Sequence, residues 1–149
     1  MLAEFATIPL QFDAPLSGEL FLLGRILFGA TLAFMGLNHF MDLETMAGYA
    51  DFKGLPAPTF SVIASGAVLV LGGVAVVAGA FPVVAAGALA FFLLVSAVTM
   101  HDFWSMDDPE EKQNEMTSFL KNVYGAGAAL ALLAVGGTAW PYAVGVGLF

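Results

Sequence analysis

Between Lys53 and Asp102 the chain carries no Asp, Glu, Lys or Arg. A helix that spans a bilayer needs about 20 predominantly apolar residues, because each residue rises about 1.5 Å through roughly 30 Å of hydrocarbon. The uncharged interval is too long for one such helix and suits two. Its break is legible at Gly79-Ala80-Phe81-Pro82, where Gly favours a helix C-terminus and Pro the first turn of the next helix. Spans are therefore predicted near residues 60–79 and 82–100.

The composition extends the point to the whole chain. Apolar residues make up 60% and charged residues 11%, against about a quarter charged in soluble domains. Mean hydropathy is +0.90. These values exclude a soluble single-core domain, a disordered chain and a coiled coil. With 12 acidic residues against 4 basic ones, the chain would repel phosphate, so nucleic acid is excluded as a partner. Cysteine is absent, which removes disulfides, thiolate metal sites and iron–sulfur ligation.

A first span is predicted over residues 19–40, with Ser17 as N-cap, Glu19 in the first turn and Arg25 about one and a half turns in. Arg25 either snorkels to the near membrane face or bonds to carbonyls or carboxylates across the bundle, a structural role in both cases. The fourth helix has its start signal in water: Asp108-Pro109-Glu110-Glu111 reads as N-cap, N1 proline and acidic first turn. It enters the bilayer near 118–121 and ends at Gly136-Gly137. The expected fold is all-α, a membrane-embedded four-helix transmembrane bundle. Residues 1–18 form an N-terminal segment, 19–138 the bundle, and 139–149 an interfacial tail anchored by Trp140 and Tyr142. Continuous apolar runs argue against a β-barrel, and a first hydrophobic run of spanning length argues against a cleaved signal peptide. Small residues recur at four-residue spacing (Gly29/Ala33, Ala75/Gly79, Ala86/Ala90, Gly125/Ala129), which suits close helix contacts.

Four spans put both termini on one side. The opposite face then collects Asn38 and His39, the stretch from Tyr49 to Lys53, His101 and Asp102, and Lys121 and Asn122. Both histidines of the protein thus fall at one membrane depth on different helices. Polar groups near hydrocarbon usually face the bundle interior or pair with each other. Three uses fit this set: proton transfer through imidazole and carboxylate, hydrogen bonds to the carbonyl oxygens of a quinone headgroup, and metal ligation. The metal use is weakest, since no His-x-x-x-His pair fixes two ligands on one helix face. The fourth reading is simply wetted helix ends. Between helices one and two, Leu43, Met46, Ala47 and Ala50 follow i, i+3, i+4, i+7. Residues 43–52 read either as a short interfacial helix that closes over the polar set, or as a plain connector. Lys53, Lys112 and Lys121 on this face against Arg25 on the other orient it inward and the termini outward.

Taken in order, Arg25-Ile26-Leu27, Gly36, Gly54-Leu55-Pro56, Gly72-Gly73, Gly79, His101-Asp102-Phe103, Lys121-Asn122 and Gly127 resemble the DoxX family over about residues 20–135. The resemblance implies a small four-helix membrane protein in which Arg25, Gly36, Gly72, Gly73 and Gly127 are structural. It also implies a link to quinone-coupled oxidation, as a subunit of a quinone-linked oxidoreductase. Two positions depart from the family pattern. His39 stands where many relatives have Lys, and Leu69 where many have an intramembrane Glu, which counts against proton translocation.

The function expected is a quinone-associated subunit or accessory of a membrane redox system in the cell membrane, without a redox centre of its own. Asn38, His39, Tyr49, His101, Asp102, Lys121 and Asn122 are the candidate ligand-binding or proton-relay residues. No metal and no intrinsic cofactor beyond a bound quinone are expected. The alternative is a non-enzymatic structural or assembly subunit, packed against larger membrane proteins or its own copies. Transport is disfavoured, because no span carries a mid-membrane charge or an internal proline. Most of the acids gather in the loops of the histidine-bearing face, a hydration pattern that suits a salt-adapted, halophilic source.

Overall fold

The computed structural model describes residues 12–148, so most of the 1–18 segment lies outside the described residues. Five α-helices follow one another: α1 (Ser17–Met41), α2 (Leu43–Phe52), α3 (Pro58–Ala78), α4 (Pro82–Met100) and α5 (Pro109–Ala134). A 3-10 turn at Phe103–Ser105 precedes the last. No strand occurs among the described residues. α1, α3 and α4 are each long and apolar enough to cross a membrane. Taken whole, α5 is not, because Glu110, Glu111, Lys112 and Glu115 occupy its first half and Lys121-Asn122 interrupt the rest.

Two of the boundary signals act as expected. Gly79 ends α3 in the left-handed region at φ 68°, a conformation that costs glycine little, and Pro82 opens α4 three residues on. Asp108 caps α5: its side chain accepts from the backbone N–H groups of Glu110 and Glu111 at 3.1 and 2.9 Å. Ser17 does not cap α1. The chain turns one residue earlier, with Leu16 left-handed at the cap position and Ser17 already helical. Its hydroxyl is buried and has no hydrogen-bond partner.

The bundle is held by backbone approach rather than by large side chains. α1 and α3 run antiparallel and meet at two glycine pairs, Gly29 with Gly73 and Gly36 with Gly66. A methyl on Gly29 would strike the Gly73 carbonyl oxygen, and one on Gly73 would strike that of Gly29. A methyl on Gly36 would lie 2.8 Å from the Gly66 carbonyl oxygen. Without side chains between them, the helix backbones gain dispersion contacts that lipid tails cannot match, which is what drives association in a bilayer. On the other side of α3, Gly72 accommodates Leu89 of α4. Ala90 and Leu93 of α4 share a core with Ala126 and Ala129 of α5. The lateral order is therefore α1, α3, α4, α5, with α2 laid against α3. A groove of about 560 Å³ lies between α1 and α5, lined by Phe21, Gly24, Phe28, Ala128, Ala131 and Leu132 among others.

Arg25 does not snorkel. It is fully buried, and the guanidinium is spent on backbone carbonyls of α3 and of the chain after α5. Nε donates to Val76 O at 3.0 Å and Nη2 to Val77 O at 2.6 Å. Nη1 donates to Pro141 O at 2.6 Å and Nη2 also to Tyr142 O at 3.1 Å. The Val76 and Val77 carbonyls belong to the last turn of α3, where helix geometry leaves acceptors short of partners and the dipole favours a cation. Val76 O has besides only a 3.3 Å bond from the Gly79 N–H. The Trp140 ring lies 5.4 Å below the guanidinium carbon. Trp140, read from the sequence with Tyr142 as an anchor, is itself buried against Phe21, whereas Tyr142 is exposed and donates to Glu19. Beyond it, Val144 N–H donates to Ala78 O and Phe81 N–H to Val146 O, so the tail closes this end of the bundle.

Candidate functional site

At the opposite end the helices leave a cavity of about 600 Å³. Its long walls are the halves of α3 and α4 distant from the Gly79 turn, including Phe60, Val68, Phe91 and Phe92. The first polar wall residue is His39, in the last turn of α1. Gly66 lets that turn sit on α3, since a methyl there would lie 2.9 Å from the His39 Cβ. His101 follows the last residue of α4, and Asn122 comes from α5. Ser61, Ser65, Ser96 and Thr99 add hydroxyls to the α3 and α4 walls.

α2 covers this space, which favours the lid reading of residues 43–52 over the connector. Met46, Tyr49 and Ala50 face the cavity, and Ala50 is buried. Two polar fastenings hold the helix in place. Tyr49 OH donates to Glu115 Oε1 of α5 at 2.9 Å and reaches Met100 O of α4 at 3.3 Å. Lys53 Nζ pairs with Asp102 Oδ1 at 2.5 Å, while Asp102 Oδ2 accepts from Ser105 Oγ at 2.6 Å. Burial, and then the Glu115 carboxylate, push the Tyr49 hydroxyl above its ordinary pKa. Burial by itself would lower that of Lys53. The hydrogen bond to Asp102, with Tyr49 and Glu115 nearby, outweighs it and holds the ammonium above the ordinary lysine value.

A raised lysine pKa contributes stability that is fully present below the unfolded-state value and is lost as pH rises through the folded-state value. The α2 fastening should therefore hold across neutral pH and fail at both extremes. It is lost in the alkaline range as Lys53 loses its proton, and in strong acid as Asp102, whose carboxyl pKa Lys53 and Ser105 hold down to about 2, gains one. Thermal unfolding followed from neutral pH to about pH 11 is expected to show this alkaline loss in the wild type and a smaller one in Lys53→Met. Equal alkaline losses in both would remove Lys53 as its source.

The candidate residues separate into three groups. His39, Tyr49, His101 and Asn122 line one cavity. Asp102 stands beside it, engaged with Lys53. Asn38 and Lys121 are exposed and do not line it. Of the structural glycines, Gly36, Gly72 and Gly73 lie at helix crossings, while Gly127 is exposed with open space around it. Glu115 also belongs to this site, although its place in the sequence groups it with the acids of the histidine-bearing face. Its carboxylate joins Tyr49 to His101, whose Nδ1 lies 2.9 Å from Oε2. The signal was present in the spacing: Glu115, Asn122, Ala126 and Ala129 fall at i, i+7, i+11 and i+14, one face of α5.

Three apolar helices of spanning length, with a largely apolar cavity closed by a few polar groups at one end, define a multi-pass integral membrane protein. The DoxX family model matches residues 20–102, and the chain belongs to the DoxX family. Neither curated proteins nor solved structures give a match to it.

Proposed function

We propose that the chain is a four-span subunit of a redox system in the cell membrane, and that it binds a quinone-class amphiphile with the headgroup between His39 and His101. The observation that carries this reading is the cavity: apolar along α3 and α4, polar where α1, α2 and α5 close it, and about 600 Å³ in volume. Sites for small organic ligands are typically mostly apolar, about 300–1,000 Å³, with a few convergent polar groups. In this reading α5 is the fourth span from about residue 118, since it packs along α4 and exposes Leu120, Tyr124 and Leu130. Electrons must come from a partner, because the sequence holds no cysteine and no nucleotide motif.

In purified protein, His39→Ala and His101→Ala are each expected to weaken binding of a decyl-substituted benzoquinone or its hydroquinone about three- to tenfold, the worth of one hydrogen bond. Unchanged affinity for both ligands in both variants would sink the site. A structural subunit is the second reading, favoured by the apolar groove between α1 and α5. It would show as fixed partner proteins retained in mild detergent.

A further inference from the structure

The polar wall of the cavity has few hydrogen-bond donors left. His39 Nδ1 lies 2.9 Å from Met35 O, and a carbonyl oxygen only accepts, so Nδ1 carries the proton. His101 Nδ1 lies 2.9 Å from Glu115 Oε2; a carboxylate also only accepts, and the same tautomer follows. Neutral imidazoles held in this way present bare Nε2 lone pairs. The hydroxyls behave alike. Ser61 donates to Pro56 O, Ser65 to Val62 O and Thr99 to Val95 O. Tyr49 donates to Glu115. Each leaves an oxygen that accepts. Among the described side chains of this wall, only the Ser96 hydroxyl and the second amide hydrogen of Asn122 remain as donors, since Asn122 Nδ2 already donates to Ser96 Oγ.

We infer that this cavity selects a hydrogen-bond-donating, hydroxyl-bearing headgroup over a carbonyl one, and that Glu115 is a positioning residue that makes His101 an acceptor. The inference rests on the proposed binding of a quinone-class amphiphile and assigns its reduced form. It reverses the simpler picture in which imidazoles donate to quinone carbonyls. A carbonyl oxygen facing Nε2 would set two acceptors against each other, and a buried acceptor left unpaired loses its hydration without return. A hydroquinone hydroxyl donates to Nε2 with no rearrangement. A hydroxyl lipid offers the same group from another source.

The test compares four probes on the purified chain at neutral pH under anaerobic conditions. They are a decyl-substituted benzoquinone, its hydroquinone, the dimethyl ether of that hydroquinone, and decylglycerol. The hydroquinone is expected to bind about tenfold or more tightly than the quinone and the dimethyl ether, as sites built around a ligand hydroxyl reject analogues that lack it. Quinone binding equal to or tighter than hydroquinone binding overturns the inference and leaves the proposed function standing. Binding of decylglycerol alone supports the donor rule with a lipid as its source and overturns the quinone reading. Binding of none of the four overturns both.

Glu115→Gln distinguishes positioning from packing. Its amide can donate to Nδ1 and release the other tautomer, so the affinity ratio of hydroquinone to quinone is expected to fall towards one. A purely structural role would weaken both ligands equally and leave the ratio unchanged, which would overturn the assignment of Glu115.

Discussion

Gly73→Leu is expected to abolish the folded bundle, the largest effect of any single substitution considered. A side chain at this position meets the Gly29 carbonyl oxygen, with the Ala33 backbone N at 2.8 Å. Both obstacles are backbone atoms of a continuous helix, so no rotamer change relieves them. Overpacking of cores costs about 1–3 kcal/mol where side chains can shift. Here α1 and α3 must separate along the crossing, and the cost should lie at or above about 3 kcal/mol. That separation also displaces His39, which sits above Gly66 on the same interface. Gly127→Ala is the control, because no atom lies within 4 Å of a methyl there. Thermal unfolding in mild detergent should show Gly127→Ala at or slightly above wild type, since Ala is the better helix former, with Gly73→Leu unfolded or aggregated. A folded Gly73→Leu protein of wild-type stability would refute the crossing.

Arg25→Leu is expected to be the second largest. Replacing a buried charge by an apolar residue is often neutral, because its desolvation cost disappears with it. In this case the partners decide the sign. Leu leaves the Val77, Pro141 and Tyr142 carbonyls without the donor they share, and Val76 O with only the Gly79 N–H at 3.3 Å. Each buried orphan costs about 1–3 kcal/mol. Some of them will find water as the tail loosens, so a net loss of about 3 kcal/mol is expected rather than the full sum. Lys keeps the charge but not the planar fork, and Arg25→Lys should fall between. Limited proteolysis beyond residue 135 provides a local readout. The tail should become cleavable in Arg25→Leu well before the bundle unfolds. A tail that stays protected in a stable Arg25→Leu protein would show that the guanidinium is dispensable.

Both cases show where sequence reading succeeds and where it stops. The four-residue pattern picks out Gly29 with Ala33, and Gly73 does pack against both. That Gly73 is their partner, and that Gly36 meets Gly66 seven residues along each helix, is not in the pattern. Which small residues meet depends on the register between two helices, which neither helix carries alone. Glu115 is the same problem at the site. One face of α5 holds it in line with Asn122, but that this face turns towards Tyr49 and His101 is settled by how α4 and α5 pack. Arg25 was ambiguous for a different reason. Its reach covers both the membrane surface and the α3 C-terminus, and the deciding partners at 141 and 142 are remote in sequence.

The sequence by itself determined the membrane class, the all-helical architecture and nearly every helix boundary. These follow from local causes: an uncharged interval set by bilayer thickness, and Gly, Pro and Asp acting on the backbone next to them. It also brought both histidines to one end of the bundle, because alternating spans return the chain to the same face. Only the tertiary structure decided that His39, Tyr49, His101 and Asn122 share one cavity, that Asn38 and Lys121 stay outside it, and that Arg25 ties the closed end. Those outcomes depend on helix register and rotation, which are properties of pairs of helices, and on hydrogen bonds between residues far apart in the chain.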